Sequence, residues 1–246
     1  METLSLLQLL FFCLVIIVSY AIRGSAGFGG VTVPLLAWVM SLKTVVPMVT
    51  FLGILSSAVI LRTEYKHIVW RDLWRVMPWC ALGAAAGLYF FKVLDARTLA
   101  TALGVFVTAY GLYSLWASDR PTLKVKLPMI AIAPTAGATA GFVGTIFGSM
   151  AGMFFAIYLD LLKHGKNEFR ATVAGILLGL GFFRGAGYVS VGAFDREVMI
   201  ACAVALPMMA LGVFIGNHVH ANLAPLAFKR LVAAILIASG LPLLLR

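Results

Sequence analysis

The stretch PWCALGAAAG, from Pro78 to Gly87, is spelled again as PMMALGVFIG, from Pro207 to Gly216, with Pro, Ala, Leu and both glycines matched at a constant displacement of 129 residues. At the same displacement Ala109, Gly111 and Leu112 fall on Ala238, Gly240 and Leu241. Upstream the register drifts with loop length: Thr50, Gly53, Ile54 and Leu55 meet Thr172, Gly175, Ile176 and Leu177 at 122, and Gly27 meets Gly148 at 121. Ordered matches along both halves point to a duplicated unit. Small residues four apart let helix backbones approach closely in lipid, and proline is tolerated in membrane helices. Gly83, Gly87, Gly212 and Gly216 therefore read as packing positions.

Lipid is the setting that composition demands. Of 246 residues, 62% are hydrophobic and 11% charged, and the mean hydropathy is +1.03, whereas soluble domains are roughly half apolar and about a quarter charged. The fold class expected is all-α, a polytopic membrane protein. Its first apolar run, Leu4 to Ile22, follows Glu2 in place of a basic segment, so it reads as a retained span instead of a cleaved signal. Cys13, Cys80 and Cys202 lie inside apolar runs with no C-x-x-C spacing, which gives neither a disulfide framework nor a zinc site. His218 and His220 have no nearby carboxylate or thiol, so no metal and no cofactor are expected. The formal charge of +10 is scattered between apolar segments. It suits loops facing anionic lipid and forms no nucleic-acid groove.

Charges, prolines and glycines divide the chain into ten apolar stretches: 4–22, 26–41, 44–61, 73–91, 98–116, 128–143, 148–162, 168–183, 197–217 and 226–245. A bilayer core takes about 20 residues of helix, so 26–41 and 148–162, each behind a glycine-rich break, read as tilted, re-entrant or broken. With ten alternating segments, one face collects Arg23, Arg62, Lys66, Arg71, Arg75, Arg120, Lys124, Lys126, Lys163, Lys166, Arg170, Lys229 and Arg230, which is 13 against 6 on the other. The rule that cytoplasmic loops carry Lys and Arg places that face inside and both termini outside. Eight crossings would make the halves parallel, and ten make them inverted. The charge asymmetry favours two inverted repeats of about five segments each, 1–120 and 121–246, in one membrane domain.

Paired interruptions at corresponding places are where such duplicated proteins bind their substrate. Here they read R23-G-S-A-G-F-G-G-V-T-V-P-L-L36 and G141-F-V-G-T-I-F-G-S-M-A-G152. A helix starting inside the bilayer leaves unpaired N–H groups and a partial positive charge, which an anion can satisfy. The substrate-binding candidates are Ser25, Gly27, Phe28, Gly29, Gly30, Val31, Thr32, Gly148, Ser149, Met150, Ala151 and Gly152, with Thr145 as a further hydroxyl. The plain alternative is close helix crossing, with hydroxyls bonded to their own carbonyls. Pathway candidates are Arg184, Tyr158, Arg170 and Asp160. Arg184 either attracts anions or snorkels to the outer interface, Arg170 doubles as a topology signal, and Asp160 either carries a coupling proton or caps a solvated helix end.

The motifs G24-S-A-G-F-G-G-V-T-V-P-L-L36, G141-F-V-G-T-I-F-G-S-M-A-G152 with Y158-L159, and F169-R-A-T172 resemble the sulfite exporter TauE/SafE family, also described as the sulfonate-uptake permease superfamily, over nearly the whole chain. The resemblance implies an integral membrane transporter of two inverted repeats that moves small sulfur-containing or organic anions such as sulfite, thiosulfate, sulfoacetate or aryl sulfonates. Second-half motifs in that family often carry paired glycines followed by prolines, and S149-M-A-G-M-F154 departs from that pattern.

The function expected is secondary transport of such anions across the cytoplasmic, inner membrane by alternating access, with no enzymatic activity. A passive anion channel of the same fold is the alternative. An intramembrane enzyme is the remaining class, but His67 and His164, near Glu64 and Glu168, have no partnered nucleophile. Expected partners are a small anionic substrate, membrane lipid and, as the assembly to test, a homodimer. Nucleic acid is not among them.

Overall fold

A computed structural model describes residues 5–26, 30–118, 129–162, 164–218 and 225–244. Those residues form ten α-helices: α1 (Leu6–Ala26), α2 (Thr32–Leu36), α3 (Leu42–Glu64), α4 (Trp70–Val93), α5 (Ala96–Ser118), α6 (Met129–Phe147), α7 (Ala151–Leu161), α8 (Lys166–Ser190), α9 (Arg196–His218) and α10 (Pro225–Leu244). A 3-10 turn, Tyr65–His67, joins α3 to α4, and no strand occurs among the described residues. Six segments are long and apolar enough to cross a bilayer, namely Leu6–Gly24, Leu42–His67, Trp70–Val93, Ala96–Trp116, Asn167–Ser190 and Arg196–Gly216. Two shorter apolar helices, Ile132–Phe147 and Val232–Leu244, accompany them.

The helices outrun the apolar stretches that announce them. α1 continues past Ile22 to Ala26 and takes Arg23 inside, and α8 runs past Phe183 to Ser190 and takes in Arg184. A charge ends a helix only when it must leave the bundle, and both arginines find polar partners within it. Glycine-rich breaks act as expected, since α2 keeps only five helical residues and α7 eleven. Gly148 and Met150 both have positive φ, at 71° and 73°. The left-handed turn is ordinary for glycine but costly for methionine.

Loop side chains start several helices. The Ser41 hydroxyl accepts from the Lys43 N–H at 3.2 Å, Asp195 accepts from the Val198 N–H at 2.8 Å, and the exposed Asp95 accepts from Thr98 and from the Arg97 N–H. The Thr98 hydroxyl in particular holds the Asp95 carboxyl below its ordinary range.

Close glycine contacts decide how the bundle packs. A methyl group at Gly83 would run into the Ala138 carbonyl of α6, and one at Gly87 into the Phe142 carbonyl. On the other side, Gly212 and Gly216 of α9 press on the carbonyls of Ile17 and Ala21 of α1. The motif written twice in the sequence is thus used twice, once for α4 against α6 and once for α9 against α1. Gly111 and Gly240, also paired in sequence, lie in the contact of α5 with α10, against the carbonyls of Ala233 and Gly104.

Contacts also give helix directions. Rising numbers meet rising numbers in α4 with α6 and in α1 with α9, so those pairs run parallel. In α5 with α10, Gly104 meets Gly240 while Gly111 meets Ala233, an antiparallel pair. α3 and α8 are likewise antiparallel, with Thr50 meeting Arg184 and Glu64 meeting Arg170. α1 and α3 run the same way, because Tyr20 bonds Val49 and Arg23 bonds Gly53 and Ser57. The chain therefore comes back across the bundle between α1 and α3, in the segment that holds α2.

Candidate functional site

Arg23, Val49, Thr50, Gly53, Leu177, Gly181, Arg184 and the run Gly148–Gly152 surround a cavity of about 30 Å³, room for about two waters. Val49 to Gly53 lie seven to eleven residues into α3, roughly 11–17 Å along the helix, which is near the middle of a bilayer core about 30 Å thick.

Arg184 is 6% exposed. Its Nη2 donates to the Thr50 hydroxyl at 2.5 Å, and that hydroxyl in turn donates to the Val46 carbonyl at 2.9 Å. Arg184 points into the bundle and does not snorkel to the interface, because Thr50 waits for it across the α3–α8 contact. Arg23 comes from α1, with Nη2 donating to the Gly53 carbonyl at 3.2 Å and the Ser57 hydroxyl at 2.8 Å. Charge pattern alone assigns Arg23 to a cytoplasmic loop. Continuation of α1 to Ala26 turns it instead toward α3 and the cavity.

Three donors at this cavity lack partners. Arg23 Nε, Arg184 Nε and Ser149 Oγ are buried and make no hydrogen bond among the described residues. No described lining residue is acidic, so two guanidiniums share the space without a counter-charge from its walls. α7 starts at Ala151 beside them and adds the positive end of its dipole.

The predicted residues distribute unevenly around this point. Gly148, Ser149, Met150, Ala151 and Gly152 all line the cavity. From the first half, Gly30 lies against the side chains of Met150 and Met153, about 3.8 Å from where its Cβ would stand. Val31 and Thr32 are buried at the start of α2 but are not among the described lining residues. Ser25 sits in the last turn of α1, and Gly27, Phe28 and Gly29 lie outside the described residues. The Thr145 hydroxyl donates to the Gly141 carbonyl of its own helix at 2.7 Å, the plain reading for that residue.

Of the pathway candidates whose side chains are described, Arg184 lines the cavity and Tyr158 and Arg170 do not. The Tyr158 hydroxyl, on α7, lies 3.5 Å from the Asp72 carbonyl. Arg170 pairs with Glu64 at 2.6 Å and donates to the Gly24 carbonyl at 2.7 Å. Asp160 lies in the last turn of α7. Nearby, His164 bridges the buried Asp72 at 2.8 Å and Glu168 at 3.5 Å; the sequence sets His164 close to Glu168, but Asp72 is 92 residues away and was missed. Among the described residues no group of His, Cys, Asp and Glu could hold a metal ion.

The family model described as sulfite exporter TauE/SafE matches residues 11–243. The chain is similar to the probable inner membrane transporter protein TsaS of Comamonas testosteroni, with 29% identity over 182 residues that cover 73% of this chain and 74% of that protein. No solved structure matches.

Proposed function

Because the chain belongs to the sulfite exporter TauE/SafE family, we propose that it is a secondary transporter carrying small sulfur-containing or organic anions, of the sulfite, thiosulfate or sulfonate type, across the inner membrane. The observation that carries this reading is the set of unpartnered buried donors, Arg23 Nε, Arg184 Nε and Ser149 Oγ, around one cavity without a described acid. A buried donor left unsatisfied costs roughly 1–3 kcal/mol, and more when charged. Two like charges at one cavity, Arg184 buried and Arg23 partly so, also need a counter-charge. An oxyanion, with several acceptors around one centre, answers all of these at once, and a cation or a neutral apolar solute answers none.

The halves 1–120 and 121–246 act in this reading as inverted repeats that rock about the cavity. Antiparallel α3 with α8 and α5 with α10 support it, as do matched glycine contacts in α4–α6 and α9–α1. A space for about two waters holds no continuous pore, so an anion enters when the halves part on one side. The inner-membrane location is supported by the name of the similar Comamonas protein, and the outward placement of both termini by the Lys/Arg distribution.

Flux of labelled sulfite, thiosulfate and benzenesulfonate in proteoliposomes tests the proposal. Saturable flux and counterflow of at least one are expected. Single-channel currents would replace the transporter with a channel, and no flux of any would reject both.

A further inference from the structure

A groove separate from the anion cavity opens between α3, α8 and α9, each long and apolar enough to cross a bilayer. It holds about 660 Å³, against about 30 Å³ for the anion cavity. None of its described lining residues carries a charge, a hydroxyl or an amide. Small residues make the hollow. Gly185 and Ala186 on α8 and Ala203 on α9 leave a trough between larger, exposed side chains, with Phe182 and Val189 on one rim and Met199 and Leu206 on the other. Phe51 and Ile54 of α3 close the back.

Helix directions give the groove a shallow and a deep end. α3 runs antiparallel to α8 and, through α1, parallel to α9. Val189 and Met199 therefore share one end, and Phe182 and Leu206 the other. The deep end is level with the anion cavity, since Phe51 and Phe182 directly follow its lining residues Thr50 and Gly181. The shallow end carries a cation. Arg196, in the first turn of α9, is exposed and stands three, seven and ten residues before Met199, Ala203 and Leu206, on the helix face that lines the groove. Glu197 is turned about 100° further from that face, and Asp195 is engaged with the Val198 N–H. From Arg196 to Leu206 is about 15 Å of helix, one leaflet of a hydrocarbon core about 30 Å thick.

We propose that this groove seats an anionic phospholipid, with one acyl chain along α8 and α9 and the headgroup phosphate on Arg196. The inference stands apart from the transport reading and does not need it. Hydrocarbon in the trough supplies the contacts that an empty hollow forfeits, and a cation at the membrane surface favours an anionic headgroup by a factor of about five. A trough one leaflet deep suits a lipid tail and is too short for a partner helix that crosses both. A second copy of the chain, meeting this face about a two-fold axis, would set hollow against hollow. Ile54 divides the two spaces. It lines the groove, and its Cγ1 lies 2.8 Å from where a Cβ on Gly181, at the anion cavity, would stand. A seated acyl chain thus backs the α3–α8 contact at the depth of the arginines.

Photo-crosslinking in nanodiscs tests this. The full chain is placed in equal parts phosphatidylglycerol and phosphatidylcholine, with a trace of one or the other carrying a diazirine midway along an acyl chain, and adducts are mapped by peptide mass spectrometry. Phosphatidylglycerol should label α8 and α9 around the groove roughly fivefold more than phosphatidylcholine does. Arg196→Gln should remove that preference and leave labelling of the other helices unchanged. Ala203→Phe, which fills the trough, should lose the groove adducts of both lipids. Equal labelling by the two probes in the wild-type protein, or a preference that survives Arg196→Gln, overturns the proposal. Adducts spread evenly over all lipid-facing helices do the same, as do disulfide crosslinks between copies at Ala203→Cys, which would make this face a dimer interface. Arg196 is exposed, so its variant carries the test even if Ala203→Phe does not fold.

Discussion

Arg23 and Arg184 reach one cavity from helices on different halves of the chain, and each keeps an Nε without a partner among the described residues. A charged hydrogen bond to a ligand is worth about 1.5–3 kcal/mol. Arg23→Gln and Arg184→Gln should therefore each weaken anion binding roughly ten- to a hundred-fold, measured with labelled thiosulfate on purified protein. Lysine should restore either only partly, since a point charge does not replace a planar fork of donors. Ser149→Ala removes one neutral donor and should cost about 0.5–1.5 kcal/mol of binding, a few-fold effect. These residues differed in how plainly the sequence announced them. Ser149 and its neighbours were marked by the break they sit in. Arg184 was visible as a cation in an apolar run, but its direction depends on the rotation of α8 and on Thr50, 134 positions away. Arg23 was hidden because local charge suggested a loop where the helix in fact continues.

At the scale of elements, the duplicated P-x-x-A-L-G-x-x-x-G stretch was the most legible feature, because two helix backbones in contact leave room for nothing larger than glycine. Gly83→Ala or Gly212→Ala pushes a methyl into a facing carbonyl and should destabilise the fold by about 1–3 kcal/mol. Gly185→Ala meets only the tip of Ile54 at 3.3 Å and should be nearly neutral. Melting temperatures in detergent distinguish these outcomes. Shortness of α2 and α7 was also legible, from consecutive glycines. The Arg170–Glu64 tie and the Asp72–His164–Glu168 cluster were not, since no local pattern joins residues from α3 and α4 to the start of α8.

For the whole molecule, Gln8 near the start of α1 and Leu243 near the end of α10 line one groove together with Ala96 and Arg97, which supports both chain ends emerging on one face. Single cysteines at Gln8 and Leu243, in a protein whose Cys13, Cys80 and Cys202 are replaced, should both react with an impermeant maleimide added outside cells. Labelling of only one would break the paired topology. The central proposal, though, is chemical: the Nε groups of Arg23 and Arg184 and the Ser149 hydroxyl, which lack partners among the described residues, hold a tetrahedral or pyramidal oxyanion between the halves. Anomalous diffraction from crystals soaked in selenate tests it most directly. The account predicts a selenium peak within hydrogen-bond reach of Arg23 Nε, Arg184 Nε and Ser149 Oγ, absent in Arg184→Gln. Selenate bound only elsewhere, with those three donors facing an empty cavity, would contradict it.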